Sequence, residues 1–335
     1  MRAARFRSPG VPLTIDEVPI PVPGPGGALV QVKAAGLCGS DLHILEGHTL
    51  TAAPPITLGH EIGGIVAGVG SATDAVSPGD RVFVNPMIGC GHCAACLAED
   101  ASSCADRRTI GIHLDGGLAE YVVAPISNLT VFPESVSFGE IAIVESAGTA
   151  NRAVRLVDAG PGRRIVIFGV GGLGIQAVRL AVARGAEVTT VDLDPVARRR
   201  SLDAGAVASF DSAGQLAAAS GPGRFDGAID CVGIPATVES ALLSLAHSGA
   251  CAIIGIGSTA VSLTPPGHFV RGALRVFGVY GYAQRDIAEV AARVIDGSLD
   301  LAPSISATVP LNAVNEGLRL FADRVGSPTR VIVTI

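Results

Sequence analysis

The sequence predicts an α/β protein of two domains, a loop-rich β domain followed by a doubly wound parallel sheet of six strands. Three observations carry this. The chain has 335 residues, long for one hydrophobic core, since domains usually run to about 100–200 residues. The apolar pattern changes character near residue 146. A glycine-rich turn, GVGGLG, stands between a buried strand and a helix in the second half.

The first 145 residues are dense in Gly and Pro and in short alternating apolar runs, ALVQVKAAG, EIGGIVAGVG, DRVFVNP and AEYVVAP. Alternation with a period of two is the pattern of half-buried strands. From residue 146 to 281 strand and helix alternate: RRIVIFG, LGIQAVRLAVARG, AEVTTVDLD, PVARRRSLDAGA. Further strands are read at FDGAIDCVG, ACAIIGIG and LRVFGVYGY. Buried strands joined by helices make a parallel sheet with right-handed crossovers. Residues 282–335 read as helix, loop and a terminal strand, TRVIVTI, too short to fold alone and expected to return to the first domain.

Composition narrows the function. The net charge of −6 argues against binding nucleic acid or a membrane surface, and Arg198 to Arg200 reads as a solvated helix face. No uninterrupted apolar stretch of about 18 residues occurs, and the first residues, MRAARFRSPG, lead into strand sequence, so a cytoplasmic location is expected.

The glycine turn Gly169, Gly171, Gly172, Leu173 and Gly174 permits close backbone approach to a pyrophosphate, whose charge the following helix N-terminus stabilises. Asp192 lies 18 positions beyond Gly174, at the end of the next strand. A carboxylate there accepts the ribose hydroxyls of NAD and repels the 2′-phosphate of NADP. Arg198, on the next helix, could approach the same region and leaves room for NADP.

Four of the seven cysteines, Cys90, Cys93, Cys96 and Cys104, follow C-x2-C-x2-C-x7-C. Short loops of this kind wrap four thiolates around a zinc ion, leaving no open position, which makes the site structural. An iron–sulfur cluster also uses thiolate runs, usually with other flanks and a following Pro. Cys38 in GLCGSDLH and His60-Glu61 in LGHE stand 22 residues apart, too far for a local site. Catalytic zinc, however, takes three ligands from separate segments plus water.

Taken together and in this order, these motifs resemble the medium-chain dehydrogenase/reductase family, specifically its zinc-dependent alcohol and polyol dehydrogenases. The resemblance runs over essentially the whole chain and implies a GroES-like catalytic domain and a Rossmann NAD-binding domain. It implies Cys38 and His60 as ligands of a catalytic zinc, Glu61 beside them, Ser40 bonding the substrate oxygen, His43 relaying its proton, and Asp41 holding His60. SPTRVIVTI resembles the family's last strand, whose arginine, here Arg330, meets the coenzyme pyrophosphate. A third ligand is expected just before the Rossmann domain, where Glu145 is the available carboxylate; a one-residue shift would put Ser146 there instead and leave zinc with Cys38, His60 and Glu61 or water. The implied reaction is hydride transfer between NAD and a small alcohol or carbonyl substrate, of the secondary alcohol, polyol or cyclitol type, in a homodimer or homotetramer. An NADP-preferring carbonyl reductase and a binding protein that has lost activity are the alternatives.

Overall fold

A computed structural model describes residues 1–335 except Leu50, Pro222, residues 263–265, Arg324 and Val325. It contains two compact units, Met1–Glu145 with Ala283–Ile335, and Ser146–Tyr282.

In the first unit a seven-stranded sheet runs in the order Leu129–Val131, Arg81–Val84, Glu61–Val69, Gly27–Leu37, Val331–Thr334, Ala307–Pro310, with Tyr121–Pro125 also paired to Gly27–Leu37. The strand Gly27–Leu37 alternates half-buried and buried side chains along most of its length, as a period of two requires. Its apolar face packs Val30 and Val32 with Ile62, Val66, Val82 and Val84. A second cluster joins Leu37 to Ile44, Leu58, Leu118, Val314, Val331 and Val333. Each such side chain contributes roughly 1.5–3 kcal/mol on full burial.

Two registers place the site. Gly36 faces Glu61 across the pair Gly27–Leu37 and Glu61–Val69, and Leu37 faces Val331 of the last strand. The C-terminal end of one strand and the N-terminal ends of its two neighbours therefore meet at one edge of the sheet. Cys38, His60 and Arg330 are the residues that these three strand ends carry.

The second unit is a parallel sheet of six strands: Arg164–Phe168, Glu187–Val191, Ala208–Phe210, Phe225–Asp230, Leu245–Ile253 and Arg275–Gly278. Numbered one to six along the chain, they lie in the order 3-2-1-4-5-6, the order of a dinucleotide-binding Rossmann sheet. Ala208–Phe210, three residues at the sheet edge, is too short to register as a strand in the apolar pattern. Local chemistry starts the helices: Asp194 caps Pro195–Asp203 by accepting the Val196 N–H, Pro195 opens it, and Ser212 caps Ala213–Ser220. Among the described residues no helix is long and apolar enough to cross a membrane.

Candidate functional site

At the sheet edge of the first unit, the ligand atoms of Cys38, His60 and Glu61 lie within 4.8 Å of one another. Cys38 ends the strand Gly27–Leu37 and precedes the short helix Gly39–Leu45. Asp41 in that helix reaches back to accept the Cys38 N–H at 2.9 Å, and its other oxygen stands 3.7 Å from His60 Nδ1. One buried carboxylate thus bonds the backbone of Cys38 and sets a negative charge beside the His60 ring, 3.7 Å away. Ser40 Oγ lies 3.8 Å from Cys38 Sγ. His43 is half-buried, at the far end of the same helix.

Glu61 is fully buried, and among the described residues neither of its carboxylate oxygens has a hydrogen-bond partner. It pairs with Arg330, Oε1 to Nη2 at 3.4 Å. Such a group is costly unless a cation lies near it. Gly36 makes room for it, because a Cβ there would stand 2.0 Å from Glu61 Oε2. Arg330 is 2% exposed, with Nη1 directed at the Leu37 carbonyl; the structure therefore sets it against Glu61 within the cluster.

The charges act on one another. Burial alone would raise the Cys38 thiol, but His60 and Arg330 outweigh it and bring it down to about 7. Burial disfavours a charged His60, yet Asp41, Cys38 and Glu145 hold its pKa well above the usual value. Burial pushes Glu61 well up, against the pull of Arg330. One thiol, one imidazole and the Glu61 carboxylate, whose oxygens accept no hydrogen bond among the described residues, fit a bound divalent cation. Glu145 lies in the helix Phe138–Leu156 and is 8% exposed. Its field reaches His60, Glu61 and Arg330. Ser146 accepts from Gln176 Nε2 at 3.3 Å within the second unit.

Cys90, Cys93, Cys96 and Cys104 also bring their sulfurs within 4.8 Å of one another, and all are free of disulfides. Cys90 Sγ and Cys96 Sγ are 3.9 Å apart, close to the ~3.8 Å edge of a sulfur tetrahedron around zinc at about 2.3 Å. Backbone N–H groups point at the sulfurs: Cys96 N to Cys93 Sγ and Cys90 N to Cys104 Sγ, both 3.5 Å. The N–H of His92, with that of Cys93, brings the Cys90 thiol down to about 6, whereas, against the Gly91 N–H, burial and the neighbouring sulfurs push the Cys96 thiol up to about 11. The His92 ring is exposed and bonded to the Cys90 carbonyl.

In the second unit Gly169 takes a φ of +82° at the end of Arg164–Phe168, and Gly171 caps the helix Gly172–Ala183, with Leu173 half-buried in its first turn. A Cβ on Gly174 would lie 1.9 Å from the Gly169 carbonyl, whereas one on Gly171 would meet nothing within 4 Å. Gly174 is thus a packing requirement and Gly171 borders open space. Asp192 Oδ2 accepts the Val170 N–H at 2.6 Å and Oδ1 accepts the Asp194 N–H at 2.8 Å. Arg198 donates through Nη1 to the carbonyls of Asp192 and Leu193, both at 2.9 Å. The turn lies where the strand order reverses, the place at which such sheets bind ligands.

Two family descriptions match the chain, the alcohol dehydrogenase GroES-like domain over residues 24–134 and the zinc-binding dehydrogenase over residues 172–296. The chain is 41% identical over 197 residues to an alcohol dehydrogenase of Moraxella sp. (strain TAE123), a match that spans 58% of each chain. It is 30% identical to an alcohol dehydrogenase of Geobacillus stearothermophilus across 94% of both. A protein of Sinorhizobium meliloti 1021 assigned to the zinc-binding dehydrogenases and solved bound to NADP superposes with a TM-score of 0.91 at 31% identity, covering 100% of this chain and 99% of that one.

Proposed function

We propose, for a chain that belongs to the zinc-dependent medium-chain dehydrogenase/reductase family, that it transfers a hydride between a secondary alcohol or polyol and NAD+ at a zinc held by Cys38, His60 and Glu145. Membership makes it an oxidoreductase of alcohols. The substrate type, the coenzyme preference and the residue roles are our reading.

The observation that carries it is the Cys38–His60–Glu61 cluster, in which His60 and Glu61 are buried and the Glu61 oxygens accept no hydrogen bond among the described residues. Zinc there supplies Lewis acidity that lowers the pKa of an alcohol. A nicotinamide coenzyme supplies the hydride acceptor. Glu145 rather than Ser146 is assigned as third ligand because its charge already bears on His60, while Ser146 is bonded to Gln176. Asp41 keeps His60 oriented, Ser40 bonds the substrate oxygen beside Cys38, and His43, open to solvent on one side, carries the proton away. Glu61 balances charge near the metal with Arg330.

The amides of Gly169 to Gly174 and the helix behind them hold the pyrophosphate. Asp192, fixed by two backbone N–H groups, turns its remaining lone pairs to the ribose hydroxyls. Arg198 is committed to two carbonyls and so offers little to a 2′-phosphate. NAD+ is therefore preferred, unlike the coenzyme bound by the Sinorhizobium meliloti protein.

The test is absorbance of the reduced coenzyme with aliphatic, aromatic, sugar and cyclitol alcohols, each with NAD+ and NADP+ at equal concentration. Turnover with NAD+ on a secondary alcohol or polyol is expected, and Asp192→Ala should erase most of the preference. A wild-type preference for NADP+ would overturn the coenzyme assignment.

A further inference from the structure

The helix Gly39–Leu45 ends in a reversal whose details follow from sequence. Glu46 is its C-cap and Gly47 follows at a φ of +80°, the left-handed conformation that glycine accepts without steric cost. The Gly47 N–H bonds the Ile44 carbonyl at 3.0 Å and the His48 N–H bonds the His43 carbonyl at 2.8 Å. This pair of hydrogen bonds is a Schellman motif, which brings the residue after the glycine against the third residue from the helix end. Usually those two positions are apolar. Here they are both histidines, with Glu46 between them.

The ligand atoms of His43, Glu46 and His48 lie within 4.8 Å of one another. Glu46 Oε2 is 3.9 Å from His43 Nδ1 and 3.3 Å from His48 Nδ1. Neighbouring ligands on a tetrahedron around zinc at about 2.0–2.1 Å stand roughly 3.3 Å apart, so a small rotation of His43 completes the set. The ring centroids are 6.0 Å apart and tilted by 51°, so the imidazoles converge without stacking. Side-chain exposures of 36%, 54% and 68% for His43, Glu46 and His48 leave the remaining positions to water. Two imidazoles and one carboxylate select a transition ion of intermediate softness over Mg²⁺ or Ca²⁺.

We propose that His43, Glu46 and His48 form a third metal site, for Zn²⁺ or a similar transition ion, whose occupation withdraws His43 from proton transfer and inhibits the enzyme. The inhibitory part rests on the relay role given to His43 above; the binding part does not.

The experiment uses the protein carrying its own zinc and adds Zn²⁺, measuring bound metal by equilibrium dialysis and alcohol oxidation in the same samples. Wild type should take up one further equivalent and lose activity as it fills, while Mg²⁺ does neither. His48→Ala and Glu46→Gln should keep the activity seen without added zinc, and should raise the inhibiting concentration by about tenfold or more, a tenfold loss of affinity being about 1.4 kcal/mol. No further equivalent in wild type, or the same uptake by His48→Ala, would overturn the site. Uptake without loss of activity would overturn the link to His43. Uptake is read without turnover, so a protein inactive on every alcohol would count against the dehydrogenase reading and leave the site to be judged by its binding data.

Discussion

Arg330 and Glu61 show how far a single residue's meaning depends on its surroundings. In the sequence Arg330 is a charge at a strand end; in the fold it is buried beside a buried carboxylate at 3.4 Å. Removing one member of such a pair leaves the other charge uncompensated, at a cost of about 3–5 kcal/mol. Arg330→Met should therefore lower stability to urea by on the order of 3 kcal/mol, and adding Glu61→Gln should restore much of the loss. A single and a double variant of equal stability would show that the two charges are not coupled. Cys38 and His60 could be picked out beforehand because their motifs are distinctive, but their company could not. Glu61 and Arg330 join them only through the pairings Gly36 with Glu61 and Leu37 with Val331, and strand register between segments far apart in sequence is not written in either segment.

At the scale of the element, two of the four glycines of one turn make opposite demands. Gly174→Ala drives a Cβ into the Gly169 carbonyl, and overpacking of this kind costs about 1–3 kcal/mol. Gly171→Val meets no protein atom within 4 Å of its Cβ, so stability should fall only by the loss of a glycine N-cap, about 1 kcal/mol. The same side chain would occupy the space over the helix N-terminus, and the dissociation constant for NADH, followed by its fluorescence, should rise about tenfold or more. If Gly171→Val bound NADH as the wild type does, the pyrophosphate would not lie over this turn. Such turns are readable because strand, glycines and helix are contiguous. The four-cysteine lobe is readable for the same reason, whereas Ala208–Phe210, a strand of three residues, carries too few side chains to show a period. The His43–Glu46–His48 cluster was also open to a reader of sequence, through His-x2-Glu-Gly-His, had the glycine been taken as a helix end.

Across the whole molecule the two units divide the chemistry that the sequence motifs announce. The β-rich unit carries all three candidate metal sites, and the parallel sheet carries the dinucleotide turn. The α/β fold class and the doubly wound order follow from patterns that repeat over many residues, which is why they were legible in advance. Cys38 and His60 are assigned a zinc ion distinct from that of the four cysteines. The most direct measurement is the zinc content of purified wild type and Cys38→Ser by elemental analysis, with circular dichroism to show that both are folded. The expected result is about two zinc ions per wild-type chain and about one per variant chain. Equal zinc content in the two folded proteins would contradict the catalytic site.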